Sequence, residues 1–189
     1  IQKGRQDAFG LGWANHDHHT YRSSRRWFSS LIAVMEKLGM HCREHFHAGA
    51  EAGWGAQVLE HPVTGIVVFA DVDLSPTEAD GDIAHKPLTT LSGRLGTVGL
   101  WCALHGEAIL EAGMHHLECT FAHDDLTRQL AELGVEMMRP FTNFAYLKQA
   151  FTVAERWVVP ESRLEHLLMA GHLTSEQAAT FRADGALGS

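Results

Sequence analysis

The chain has 189 residues, 45% of them hydrophobic, and a formal net charge of −8. That suffices for one packed domain, or for two small modules sharing a core. It leaves no basic surface able to track a phosphate backbone, so nucleic acid is not an expected partner. No apolar run approaches the roughly 18 residues of a membrane span and no signal-peptide core is present, so a cytoplasmic protein without membrane attachment is expected. The three cysteines, Cys42, Cys102 and Cys119, are odd in number and form no CxxC pair. Reduced thiols are therefore expected rather than disulfides or a zinc ribbon.

Residues 1–12 are polar and read as an N-terminal arm. Trp13 to Ser23 alternates as a strand, and His18, Thr20 and Arg22 share one face of it. Ser23 and Ser24 are candidate N-caps for a helix whose buried stripe is Trp27, Phe28, Leu31, Ile32, Met35 and Leu38, and Gly39 ends it. Met40–His47, Trp54–Glu60 and Gly65–Asp73 read as strands separated by turn sequences, which completes a β-α-β-β-β module over 13–73. Residues 74–113 form a connection. Its polar part, to Gly93, is long enough to cover an active site, and Thr97–His105 with Glu107–Glu111 is read as a hairpin around Gly106.

A second module is expected over 114–170. It opens on a strand at His115-His116-Leu117-Glu118-Cys119, followed by a helix capped by Asp124 and Asp125 and ending at Gly134. Val135–Met138, Phe144–Phe151 and Trp157–Val159 are its further strand candidates, the last continuing towards Leu168. Glu161 to Ala170 also fits a helix after Pro160, because Leu164, Leu167 and Leu168 suit either period. Within the tail at 171–189, Thr174-x-x-Gln177 has the capping-box pattern of a terminal helix.

The two β–α units each open on a histidine and close on Leu-Gly, at Leu38-Gly39 and Leu133-Gly134. An internal duplication would bring His18 and His116 together as two imidazole ligands. Two histidines and one carboxylate leave three adjacent positions open on Fe(II). A four-strand, one-helix module runs to roughly 45–55 residues. Glu165, 49 residues after His116, thus falls where the last strand of the second module is expected. Glu60, Glu107, Glu118 and Glu161 are the alternative carboxylates.

At these residues the chain resembles the vicinal oxygen chelate superfamily, which includes glyoxalases and type I extradiol dioxygenases. Pro160-Glu161-Ser162-Arg163-Leu164-Glu165 is similar to that family's glutamate-bearing ending, one residue shorter and without its glycine. Asn15-His16-Asp17-His18-His19-Thr20-Tyr21-Arg22-Ser23-Ser24 and Gly53-Trp54-Gly55-Ala56-Gln57-Val58-Leu59-Glu60-His61-Pro62 resemble the small L-DOPA 2,3-dioxygenases of antibiotic biosynthesis. The resemblance implies an α+β fold of paired βαβββ modules, an Fe(II) cofactor held by His18, His116 and Glu165, and a possible homodimer. It also implies extradiol cleavage of a catechol by O2. His105 and Tyr146 are then the candidate acids that assist O–O cleavage. Arg22 and Arg163 are the candidates for holding the amino-acid end of L-DOPA, in competition with Arg139. Trp54 and Trp101 are candidate walls of an aromatic pocket.

Two other readings stand beside this one. The first is a glyoxalase-like isomerase or thiol transferase using Zn2+, Ni2+ or Mn2+. The second is a metal-free protein that sequesters an aromatic antibiotic.

Overall fold

The computed structural model describes residues 16–49, 51–78, 81–113, 116–119, 123–135 and 156–188. The chain divides into two units, a larger one of His19–His116 with Arg156–Ser189 and a smaller one of Ile1–His18 with Leu117–Glu155. Helices beside a mixed sheet make the fold α+β.

The larger unit opens with the expected module. Strand β1 (His16–Arg22), which belongs to this unit from His19 on, leads into helix α1 (Phe28–Lys37), followed by β2 (His41–His47), β3 (Trp54–Glu60) and β4 (Val67–Asp73). The strands lie in the order β2-β3-β4-β1. β2 and β3 pair antiparallel from His41 opposite Glu60 to His47 opposite Gly55, with a bulge between Cys42 and Glu44. β3 and β4 pair antiparallel, Trp54 opposite Asp73. β4 runs parallel to β1, Val68 opposite His19 and Asp71 opposite Arg22. A parallel pair needs a long crossover between its strands, and here α1, β2 and β3 supply it.

The 3.6-residue stripe of α1 supplies the core. Phe28, Leu31, Ile32 and Met35 are buried against Leu59 of β3 and against Val68, Ala70 and Val72, which alternate along β4. Burying each large side chain of this stripe contributes about 1.5–3 kcal/mol. The ends of the expected stripe depart from it. Trp27 is 47% and Leu38 65% exposed. Trp27 instead lies under the Arg26 guanidinium, 4.7 Å from ring centroid to guanidinium carbon. Ser23 and Ser24 do not cap α1: the position before Phe28 is Trp27, with no side-chain cap. Both serines turn to Glu107, which accepts from Ser23 Oγ at 2.9 Å and from the Ser24 amide at 3.1 Å.

The connection after β4 carries a 3₁₀ turn, Pro76–Glu78. Arg25 straps it down. Its guanidinium donates to both Glu78 oxygens at 2.8 and 2.7 Å, to the Asp73 carbonyl at 2.8 Å and to the Thr89 carbonyl at 2.7 Å.

The hairpin expected at Thr97–Glu111 is instead helix α2 (Thr97–His105) followed by a π-helical turn, Ala108–Ala112. Asp73 is the reason. Its carboxylate accepts the amides of Val98 and Gly99, both at 2.9 Å, and so caps the helix across the fold. A Cβ at Gly96 or Gly99 would come within 2.5 Å of that carboxylate, so glycine is required at both positions.

The strand expected from Trp157 towards Leu168 is only β6 (Arg156–Trp157), and Pro160 turns the chain into α4 (Glu161–Met169). Pro fixes φ near the helical value and has no N–H to leave unpaired at a helix start. α5 (Ser175–Asp184) has both arms of the expected capping box. The Gln177 amide donates to Thr174 Oγ1 at 3.2 Å, and the Thr174 amide to Gln177 Oε1 at 2.9 Å. β7 (Ala186–Leu187) pairs antiparallel with β6. Leu104, Val159, Leu164, Leu167, Leu173, Ala178 and Ala186 form the second core of this unit. Residues 156–170, read from sequence as the end of a second module, thus group with the larger unit.

β5 (His116–Cys119), which belongs to the smaller unit from Leu117 on, leads into α3 (His123–Glu132), the expected second β–α pair. On α3, Arg128 bridges to Asp125 and Glu132 at 3.8 and 3.1 Å. The strand candidates Val135–Met138 and Phe144–Phe151 lie almost entirely outside the described residues. No described helix is long and apolar enough to cross a membrane.

Candidate functional site

His18 lies on β1 and His116 on β5, as the sequence requires, but their side chains fall outside the described ones. Tyr146 and Arg139 also lie outside the described residues. Glu165 does not lie on a strand. It is exposed on α4, near Arg182, so the strand position that singled it out is absent. Among the alternative carboxylates, Glu60 pairs with Arg43 at 3.1 Å, Glu161 with Arg182, and Glu107 with the two serines. Glu118 shares β5 with His116. The described side chains therefore assemble no two-histidine, one-carboxylate triad.

Arg22 ends β1, and its guanidinium carbon sits 5.2 Å from the centroid of the Trp101 ring. Its Nε is buried and, among the described residues, has no hydrogen-bond partner. Burial lowers the pKa of this group, against the opposing attraction of Asp71, Cys102 and Asp73. A buried guanidinium N–H without an acceptor costs about 1–3 kcal/mol, so it is a donor poised for an anionic or carbonyl oxygen.

Trp101 is buried, and its indole N–H donates to the Gly188 carbonyl at 2.8 Å. Its ring lies 5.3 Å from His105 and 6.3 Å from Trp157, while His105 meets Trp157 edge-on at 5.2 Å. His105 Nε2 is 3.0 Å from the Leu187 carbonyl. That contact requires the ring nitrogen to donate, so the imidazole holds β7 in place. Trp101 thus belongs to a buried aromatic cluster. Trp54 is half-buried and packs against Phe46, ring centroids 5.8 Å apart.

Arg163 is already engaged. It pairs with Glu111 and donates to the Ala103 carbonyl at 3.2 Å, which ties α4 to the end of α2. It borders a cleft of about 570 Å³, whose charged lining includes Arg25, Asp73, Arg94 and Glu107.

Sequence reasoning missed Asp73, Arg25 and Glu78, whose roles depend on contacts between distant segments. It also missed a grouping of Glu36, Cys42 and His85, whose local signal was the Asp82-x-x-His85 spacing.

No family model matches the chain, and no curated protein matches it. Among solved structures it is similar to methylmalonyl-CoA epimerase from Mycobacterium tuberculosis, at 15% identity over 84% of this chain and 82% of that one, with a TM-score of 0.49.

Proposed function

We propose that the chain is a metal-dependent enzyme of the vicinal oxygen chelate type, an Fe(II) extradiol dioxygenase that cleaves the catechol ring of L-DOPA. The observation that carries the substrate assignment is Arg22. It is a half-buried cation on the His18-bearing strand, against the face of Trp101, and its buried Nε has no hydrogen-bond partner among the described residues. An amino-acid catechol offers a carboxylate for the guanidinium. The β-α-β-β-β order of the larger unit supports the superfamily. The resemblance at 15–24 and 53–62 supports the dioxygenase class.

His18 and His116 are the imidazole ligands in this reading. Glu118, on the same strand as His116, replaces the exposed Glu165 as the favoured carboxylate. Bound Fe(II) would offer positions for both catechol oxygens and for O2. Of the groups named from sequence for substrate binding, Arg22 is retained. Arg163 is given up, because Glu111 and Ala103 already hold it.

The test is anaerobic reconstitution with Fe(II), then L-DOPA and air, recording O2 consumption and the visible spectrum. Stoichiometric uptake with a new yellow product is expected. Bound iron without uptake would replace the proposal with an isomerase or transferase, and absence of bound metal would replace it with a binding protein. His116→Ala is expected to lose both iron and turnover while keeping its circular dichroism. Arg22→Met is expected to raise KM for L-DOPA about tenfold or more, the equivalent of about 1.4 kcal/mol, with turnover of unsubstituted catechol unchanged. An equal loss on both substrates would remove Arg22 from carboxylate binding.

A further inference from the structure

Apart from every residue in that proposal, three side chains from three separate segments bring donor atoms to one spot. Glu36 lies in the last turn of α1, Cys42 on β2, and His85 in the connection after β4. A carboxylate oxygen of Glu36, the Cys42 Sγ and a ring nitrogen of His85 all lie within 4.8 Å of one another. His85 Nε2 is 2.9 Å, and Cys42 Sγ 3.9 Å, from Glu36 Oε1. Around a tetrahedral ion with bonds of about 2.0–2.3 Å, ligand atoms stand about 3.3–3.8 Å apart. The spacing therefore needs only small side-chain adjustment.

A second observation concerns the far side of the ring. Asp82 Oδ1 stands 3.3 Å from His85 Nδ1. The same oxygen accepts the amides of Ala84 and His85, both at 3.1 Å, which fixes the carboxylate in place. Histidines that bind metals characteristically give their other ring N–H to such a carboxylate, which sets the tautomer and leaves the opposite nitrogen free to coordinate. Of the cations that adjoin the group in sequence, Lys37, Arg43 and Lys86, Arg43 is taken up by Glu44 and Glu60. The spot is open to water, since Glu36 and His85 are exposed and Cys42 is half-buried.

We propose that Glu36, Cys42 and His85, with Asp82 orienting the imidazole, form a binding site for a divalent cation of Zn(II) character, with a fourth position left to water. The mixed N, S and O donor set suits Zn(II) and disfavours Mg(II) or Ca(II), which take oxygen ligands. On binding, the thiol proton and the proton between Nε2 and Oε1 leave, and the ion takes both lone pairs. The ion then joins the 81–88 segment to the end of α1 and the start of β2.

Co(II) added to the reduced full-length protein is the direct probe. A thiolate-to-Co(II) charge-transfer band is expected in the wild type and in His116→Ala, and its loss is expected in Cys42→Ser. Zn(II) is expected to slow alkylation of Cys42, mapped by mass spectrometry, at least tenfold. Asp82→Asn is expected to weaken Zn(II) binding about 10–100-fold in competition with a chromophoric chelator. A band that survives in Cys42→Ser, or no band at millimolar Co(II), would overturn the site. Because His116→Ala retains this site and loses the other, failure of one proposal is distinguishable from failure of the other.

Discussion

Burial holds the His105 imidazole below its ordinary pKa of 6.5, and the Arg163 and Arg22 charges add to this against the bond to Leu187. Below 6.5 an unfolded chain takes up the proton more readily than the folded one. The contribution of His105 to stability is therefore present above 6.5 and is lost as pH falls through its lower folded value. Its ring proton resonance in an NMR titration is expected to move with a midpoint below 6.5, whereas a midpoint above 6.5 would mean that the ring is not buried against Trp101 and Trp157. The Cys42 thiol is displaced the other way, pushed up to about 11 by burial and by the Glu36 carboxylate. From an ordinary value near 9.0, that leaves about a hundredfold less thiolate at neutral pH. Alkylation of the metal-free protein at Cys42 is expected to be slower than that of a free thiol by about that factor.

Helix α2 hangs on a carboxylate from another element. Asp73 ends β4, and its pKa is raised by burial, while the amides of Gly99, Val98 and Gly96 pull it back down. Asp73→Ala is expected to lower stability by about 1–2 kcal/mol, the usual worth of an N-cap, read from urea unfolding. Asp73→Asn is expected to lose less, because an amide oxygen still accepts one N–H. This long-range cap is also why α2 was illegible in the sequence. Val98, Leu100, Trp101, Cys102 and Leu104 leave no polar face to betray a 3.6-residue period, and no local Ser, Thr or Asp caps the first turn. α5 was legible because both halves of its capping box lie within four residues of each other. The β-α-β-β-β order was legible for a similar reason, since its turns and apolar alternation are local signals. Glu165 was misplaced because Leu164, Leu167 and Leu168 satisfy both periods, and Pro160 decided for the helix. Ser23 and Ser24 were misread because a distant acceptor, Glu107, outcompeted the helix they precede.

Across the larger unit, the Arg25–Glu78 strap ties the long connection back to the start of α1. Arg25 chiefly, with help from Ser75, holds the Glu78 carboxyl down to about 2 from an ordinary 4.5. The stabilisation is therefore fully present above about 4.5 and fades as pH falls towards 2. Glu78→Gln is expected to cost about 1.5–3 kcal/mol at neutral pH, as for hydrogen bonds to a charged group. It is also expected to flatten the fall in thermal midpoint between pH 5 and 2 relative to wild type. Parallel acid curves for the two proteins would show that the strap carries no such load.

The larger unit is assembled from two stretches of chain, His19–His116 and Arg156–Ser189, with Leu117–Glu155 between them. Leu104 from the first stretch shares a core with Leu164 and Leu167 from the second, and the Trp101 indole N–H donates to the carbonyl of Gly188, the last described residue. During synthesis the β-α-β-β-β module can therefore form early, while α2 waits with its apolar face uncovered until residues 156–188 have emerged from the ribosome. In vivo, that interval between emergence and closure is when the nascent polypeptide most needs a chaperone, and translational pausing after residue 113 would prolong it.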